Sequence, residues 1–207
     1  MLWENGRIRE MRGLPNDVNS SAWAINNAGH VVGSYVTKRG ARPFLWKDGE
    51  LTKIDVFPGS IWSVAKGVND RGQVVGEAQM KDRSERAFFW EDGKLEKLPT
   101  LPGGGSTRAL AINNSSQIAG WLFSFESRKE HAVLWEKGRI RDLGTLPGGE
   151  GSYNRAVAIS QSGMITGTSI NSDGKHHAFL WDNGVMKDIG TLGSDSSSGN
   201  GVNDAGQ

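Results

Sequence analysis

The sequence contains no cysteine, which excludes a disulfide-stapled fold and a cysteine nucleophile. It has no apolar run near the ~20 residues that a membrane-spanning helix needs. It also lacks the excess of positive charge typical of nucleic-acid-binding domains, because 24 Lys and Arg stand against 23 Asp and Glu. We therefore expect neither a nucleic-acid partner nor membrane insertion, and nothing in the sequence indicates oligomerisation.

Glycine, by contrast, is abundant, with 29 residues in a chain of 207. The glycines do not recur at every third position, which excludes a collagen-like chain. They cluster in Asp-Gly, Asn-Gly and Pro-Gly-Gly sequences, which are typical of tight turns. This composition favours short elements separated by many turns.

Two short sequence blocks recur along the whole chain. The first ends in tryptophan, followed by two polar residues and a glycine, and its tryptophans are spaced 43, 44, 45 and 46 residues apart at Trp3, Trp46, Trp90, Trp135 and Trp181. The second is a small residue, an aliphatic residue and two polar residues, at 24–27, 67–70, 111–114, 158–161 and 201–204. A fixed period of this length indicates a repeat architecture.

Residues 63–98 illustrate one period. The apolar pattern predicts four strands, at 64–68, 73–78, 87–90 and 95–98. A turn follows the first strand, and the pair Asp92-Gly93 predicts a tight hairpin between the third and fourth, because both residues tolerate positive φ. No window has a helical period, so each unit is predicted to be a four-stranded antiparallel meander.

One meander cannot bury both of its faces, so the units must pack on one another. We predict an all-β fold, a β-propeller of four-stranded antiparallel blades with about five repeats of ~44 residues in one domain, 1–207. The units are 20–55, 63–98, 107–143 and 154–190, with 1–12 and 198–207 forming one composite or incomplete blade. The alternatives are an open array of meanders and a fragment of a larger propeller.

The recurring residues have structural interpretations. Small residues of the first strand, such as Ala65 and Ala109, favour a place near the central axis, and the recurring Trp is interpreted as a core residue between blades rather than a ligand platform. The Asn-Asn or Asn-Asp pairs are interpreted as turn formers, with calcium binding as the alternative. The glycine-rich segments 100–105 and 145–150 lack the Lys-Ser/Thr of a phosphate loop and are predicted to be blade crossovers.

Catalytic chemistry has little support in the sequence. The four histidines are His30, His131, His176 and His177, and the two adjacent ones point to opposite faces of a strand. No Ser-His-Asp set can be derived from spacing, and the carboxylates are scattered over turns. We therefore predict no catalytic, metal-binding or cofactor-binding residues, and no enzyme.

A binding surface is the remaining prediction. In a propeller, the tips between strands two and three emerge on the same face as the crossovers between blades. Basic and aromatic residues there form a candidate surface for an unidentified protein or glycan partner. Its residues are Lys38, Arg39, Trp62, Arg83, Arg128, Tyr153, Lys175 and His176.

The repeat resembles a bacterial extracellular repeat, the HAF family, named for its His-Ala-Phe triplet. The resemblance rests on His177-Ala178-Phe179-Leu180-Trp181, on the Asn-Asn block, and on the Leu-Gly-Thr-Leu-Pro-Gly-Gly tail at 143–149. Arg42 and Arg86 stand where the family has His, so an obligatory role for that His is not expected. The resemblance implies an extracellular or cell-surface location and no assigned activity.

From these observations we expect a non-enzymatic, extracellular or surface-associated module that serves protein interaction or structural scaffolding. A carbohydrate-binding, lectin-like propeller is the first alternative. A glycoside hydrolase on a five-bladed scaffold is the second, and it would need a pair of carboxylates near the central pore.

Overall fold

The computed structural model describes residues 2–4, 6–11, 19–149 and 152–207, and all regular structure in this part of the chain is β. The strands are β1 (Leu2–Glu4), β2 (Arg7–Arg9), β3 (Ser20–Ile25), β4 (Val31–Thr37), β5 (Gly40–Lys47), β6 (Glu50–Lys53), β7 (Ser60–Val68), β8 (Val74–Met80), β9 (Glu85–Glu91), β10 (Lys94–Lys97), β11 (Gly105–Ile112), β12 (Ile118–Ser124), β13 (Glu130–Glu136), β14 (Arg139–Asp142), β15 (Asn154–Ile159), β16 (Ile165–Ile170), β17 (His176–Asp182) and β18 (Val185–Gly190).

These strands form four four-stranded antiparallel sheets and one two-stranded sheet. We call the four large sheets unit 1 (β3–β6), unit 2 (β7–β10), unit 3 (β11–β14) and unit 4 (β15–β18); in each, consecutive strands are hydrogen-bonded neighbours. The predicted all-β repeat of four-stranded meanders is therefore confirmed, and the segments at 100–105 and 145–149 connect successive units. Residue 150 of the second segment lies outside the described residues.

The hairpin turns between strands three and four have the predicted conformation. Asp92 and Gly93 have φ values of 46° and 86°, so both central residues occupy the left-handed region that a tight hairpin turn requires. The same pair of positive φ values recurs in the other units, at Asp48-Gly49, Lys137-Gly138 and Asn183-Gly184.

The hydrophobic core lies between neighbouring sheets. One cluster combines Val75 and Ala87 of unit 2 with Ala109 and Trp135 of unit 3. The recurring tryptophan is 2–6% exposed in all four units, whereas Trp3 of the two-stranded sheet is 73% exposed. Burial of a large ring against the preceding unit therefore recurs at every complete unit, as the recurrence predicted.

The glycine of strand two permits the close approach of strand one. A Cβ atom at Gly120 would lie 2.0 Å from the carbonyl oxygen of Arg108 and 2.9 Å from the ring of Trp135. Gly33, Gly76 and Gly167 are equally restricted by strand-one carbonyls. The recurring glycine of this block is thus required by packing rather than by its φ value.

First strands of successive units contact one another, β3 with β7, β7 with β11, and β11 with β15, so they line one inner edge. The end unit is incomplete: among the described residues, β1 and β2 pair only with each other, and residues 198–207 contain no strand. Residues 198–207 nevertheless contact unit 4, since Gly199 N donates to Gly167 O at 3.1 Å. A composite blade joining 1–12 to 198–207 stays a prediction, and residues 1, 5 and 12 of that range lie outside the described part.

Candidate binding face

Because the strands alternate in direction, each sheet has two ends with different connections. We call one end the loop face; it carries the tips between strands two and three and the crossovers between units. The other end, the turn face, carries the turns after strand one and the hairpins after strand three. The predicted partner-facing residues all belong to the loop face or to the strand ends beside it.

An open groove with a volume of about 500 Å³ lies on the loop face in unit 1. Four of its lining side chains are cationic, at Lys38, Arg39, Arg42 and Lys53, and one, Asp55, is a carboxylate. Two of the predicted residues, Lys38 and Arg39, therefore lie in one recess.

Three hydrogen bonds orient the Arg42 side chain in this groove. Its Nη1 donates to the carbonyl oxygens of Ala41 at 2.8 Å and Ile61 at 3.1 Å, and its Nη2 donates to Arg39 O at 2.8 Å. All three acceptors are neutral, and within the described residues Arg42 has no carboxylate partner. The buried Tyr35 also lines the groove; burial raises the pKa of its hydroxyl, and the nearby Arg42 acts in the opposite direction.

Tyr153 and His176 form an aromatic pair in unit 4. Their rings meet edge to face with centroids 4.6 Å apart, and the guanidinium of Arg155 lies 4.4 Å from the Tyr153 ring. Trp62 occupies the position equivalent to Tyr153 in unit 2, where its Nε1 donates to Gln79 Oε1 at 3.0 Å. The predicted aromatic residues thus lie in different units.

The remaining predicted residues lie on separate tips. Arg83 and Arg128 have φ values of 66° and 60° and are exposed. Lys175 is half-exposed and forms an ion pair with the exposed Asp195. The structure therefore places Lys38 with Arg39 and Tyr153 with His176, and distributes the other four over the loop face.

Units 3 and 4 share a His-Asp pair between strands three and four. His131 Nδ1 lies 2.7 Å from Asp142 Oδ2, and His177 Nδ1 lies 2.8 Å from Asp188 Oδ2. In unit 3 the hydroxyl of Ser127 lies 3.2 Å from His131 Nε2, which completes a Ser-His-Asp arrangement that the sequence did not indicate. Because unit 4 keeps the His-Asp pair without the serine, we interpret the pair as a cross-strand link rather than the activation of a nucleophile.

Charged side chains also line the contact between units 2 and 3. Arg108 donates from Nε to Glu85 Oε2 at 2.6 Å and lies 3.2 Å from Glu77 Oε2. That second contact is an ion pair without a hydrogen bond, since the single Nε–H points to Glu85. Arg108 therefore contacts two carboxylates, those of Glu77 and Glu85.

The Arg108 contacts recur one unit further along the chain. Arg155 Nε donates to Glu130 Oε2 at 2.6 Å, and the guanidinium groups of Arg155 and Arg108 lie 4.4 and 5.0 Å from the centroid of the Trp121 ring. Ion pairs and cation–π contacts thus connect units 2, 3 and 4 along the inner edge.

Glu77 gives a testable pH dependence. Burial raises the pKa of its carboxyl above the ordinary value of 4.5, although Arg108 and Lys66 oppose the shift. The folded state therefore binds the proton more tightly than the unfolded state, and stability is lost as the pH rises from about 4.5 towards neutrality. We expect the stability of Glu77→Gln, measured relative to the parent protein by urea unfolding, to increase as the pH rises from 4 to 7. A relative stability that stays constant or falls over this pH range would contradict the raised pKa of Glu77.

The turn face carries a chain of hydrogen bonds that sequence reasoning missed. In units 1, 2 and 3 the side-chain amide of the first Asn of the turn donates to a main-chain carbonyl of the next unit: Asn26 to Asn69 at 2.6 Å, Asn69 to Asn113 at 3.1 Å, and Asn113 to Ser160 at 3.0 Å. We call this the asparagine belt. The turn interpretation of these residues holds, since their Oδ1 atoms also accept from main-chain N–H groups within the turn.

The charged member of these pairs joins units as well. Asp70 accepts from Asn27 N at 3.0 Å and from Asn114 Nδ2 at 2.7 Å, and these bonds, led by that from Asn114, lower the pKa of its carboxyl. Within the described residues, no three His, Asp or Glu side chains are grouped so as to hold a metal ion. No helix in this part of the chain is long and apolar enough to cross a membrane.

No protein-family model and no curated protein matches the sequence. Solved structures match it in fold. TolB from Acinetobacter baumannii superposes with a TM-score of 0.58 at 17% identity, over 89% of this chain and 46% of TolB. The Pyrococcus horikoshii acylaminoacyl peptidase gives 0.51 at 16%, over 86% and 28%, and the Aleuria aurantia lectin AAL gives 0.47 at 13%, over 86% and 63%.

The likeness to TolB, a β-propeller protein, establishes the fold of the chain as propeller-like and does not extend to function. This chain spans about half of the length of TolB and less of the peptidase.

Proposed function

We propose that the protein is a non-enzymatic interaction module, extracellular or surface-associated, which binds an acidic protein partner through its loop face. The HAF-type repeat is the basis for the proposed location. Scaffolding and binding are compatible here, because the recurring residues hold the units together and the variable residues are available to contact a partner.

The distribution of charge carries this proposal. The residues that recur are buried or bonded between units, as Trp135 and Asn113 are. The predicted partner-facing residues vary between units and lie on the loop face, and cations predominate among them: Lys38, Arg39, Arg83, Arg128 and Lys175. A set of partner-facing side chains that is mainly cationic favours a partner of the opposite charge.

A charge-reversal experiment tests the proposal. In one variant, the five cations just named are changed to Glu; in the control variant, five cations at the turn face are changed to Glu, namely Lys47, Lys94, Lys137, Arg139 and Lys187. Both variants have the same net charge. We expect the loop-face variant to bind poly-L-glutamate at least roughly tenfold more weakly than the control variant, by surface plasmon resonance at fixed ionic strength.

Equal loss in the two variants would mean that binding depends on net charge alone, and the proposal would then be wrong. Circular dichroism of both variants shows whether the sheets are kept. Because all ten side chains are at exposed positions, we expect both to fold.

A glycan partner is the second candidate, favoured by the equivalent positions of Trp62 and Tyr153. The other two units have Asn19 and Ser106 there, so the aromatic position is filled in two units of four. Binding to a glycan array that is abolished by Trp62→Ala together with Tyr153→Ala, and unaffected by the charge reversal, would favour the glycan.

A further inference from the structure

The cross-strand His-Asp position differs in charge between the two halves of the chain. In register, Asp142 lies opposite Val133 and Asp188 opposite Phe179, two residues beyond His131 and His177. The equivalent residues of unit 1 are Arg42 with Lys53, and those of unit 2 are Arg86 with Lys97. Units 3 and 4 thus combine an imidazole with a carboxylate, whereas units 1 and 2 combine two cations.

This difference changes the recess that contains the pair. In unit 3 the recess is lined by His131 and Asp142, so a carboxylate of the chain itself occupies the position between strands three and four. In unit 1 the equivalent recess is the groove described above, and Lys53 takes the place of that carboxylate. Two cations therefore face one open space, with no carboxylate bonded to either among the described residues.

The surroundings of Arg42 suit an oxyanion. Three neutral carbonyl groups fix its guanidinium, so little side-chain entropy is lost when a further acceptor binds. A planar guanidinium matches the two oxygens of a carboxylate or sulfate. Lys53 supplies a second charge from the neighbouring strand, and Tyr35 is a buried hydroxyl-bearing residue of the same recess.

We propose that the unit 1 groove is an oxyanion-binding site, in which Arg42 and Lys53 bind the carboxylate or sulfate group of a ligand. In units 3 and 4 the carboxylate of the chain's own Asp occupies the equivalent position. The site deepens the proposed function, on which it rests, by giving the loop face one defined contact for an acidic side chain of the protein partner.

Lys53→Asp is the decisive variant. The introduced carboxylate would lie where Asp142 lies in unit 3 and would pair with Arg42, so the site would be filled from within. Acetate and sulfate binding is measured by the NMR shifts of the unit 1 amides, with sodium chloride at equal ionic strength as the reference. We expect Lys53→Asp to bind both anions roughly tenfold more weakly than the parent protein, or more weakly still. The midpoint of thermal unfolding should stay the same or rise, because a repulsion between cations becomes an attraction. Lys47→Asp, at the turn face of the same unit, is the control and should leave binding unchanged.

Asp142→Lys together with His131→Arg is the converse variant and should create acetate or sulfate binding in unit 3. Binding that is the same in Lys53→Asp and in the parent protein would overturn the oxyanion site, as would shifts outside the unit 1 groove.

Acetate bound more tightly than sulfate indicates an acidic peptide as the source of the ligand group, and sulfate bound more tightly than acetate indicates a sulfated glycan. A different result would contradict the proposed function, namely poly-L-glutamate binding that is weakened equally by charge reversal at the loop face and at the turn face.

Discussion

Replacement of Trp135 by Ala is expected to lower the free energy of unfolding by about 4 kcal/mol. The ring is 2% exposed and lies in the cluster between units 2 and 3, and its Nε1 donates to Pro99 O at 2.8 Å. The substitution therefore leaves a cavity between two sheets and a carbonyl without its donor. The change is measured by urea unfolding followed by circular dichroism and tryptophan fluorescence.

Trp3→Ala is the matched control, because Trp3 holds the same place in the repeat and is 73% exposed. We expect that variant to lose less than about 1 kcal/mol. Similar losses of unfolding free energy in the two variants would show that the Trp135 ring stabilises its own strand and not the contact between units.

The fold could be predicted from the sequence because the residues that indicate strands and turns recur at a regular spacing. The interval between Trp46 and Trp90 defines one unit, and the Asp92-Gly93 turn orients its last two strands. Apolar alternation then fixes which side chains face the neighbouring sheet. These are local signals, repeated four times, and repetition makes each one easier to recognise.

The contacts of the candidate face were harder to predict because they join residues from different strands or units. Glu85 and Arg108 are 23 residues apart, and nothing at either position indicates its partner. The groove pair of Arg42 and Lys53 had a readable signal, since the same two columns of the repeat contain His and Asp in units 3 and 4. The signal required the cross-strand register, which places the two columns side by side.

The asparagine belt was missed for a related reason. Asn at a turn is explained well enough by its own backbone, so the sequence offered no reason to look for a second role. Its Nδ2 reaches the next unit only because the stacked sheets place equivalent turns side by side. Unit 4 has Ser160 at this position, and its shorter side chain bonds to Met164 N at 3.1 Å and Ser162 Oγ at 2.8 Å in its own turn and also interacts with Asp204.

Asn113→Ala is expected to destabilise the protein by about 3 kcal/mol. The side chain is fully buried and makes four hydrogen bonds: Oδ1 accepts from Ser115 N and Gln117 N, while Nδ2 donates to Gln117 Oε1 at 2.7 Å and to Ser160 O at 3.0 Å. Removal of the amide leaves these partners unsatisfied in a place where water does not replace it.

Asn203→Ala separates the turn from the belt. Asn203 makes the same bonds within its turn, to Ala205 N, Gln207 N and Gln207 Oε1, but it is exposed and, among the described residues, bonds to no other unit. We expect a loss below about 1 kcal/mol for this variant. The excess loss in Asn113→Ala then measures burial and the bond to unit 4, and Asn113→Ser, which restores an acceptor without the amide donor, should fall between the two. If all three variants unfold at the same urea concentration, the belt contributes nothing to stability.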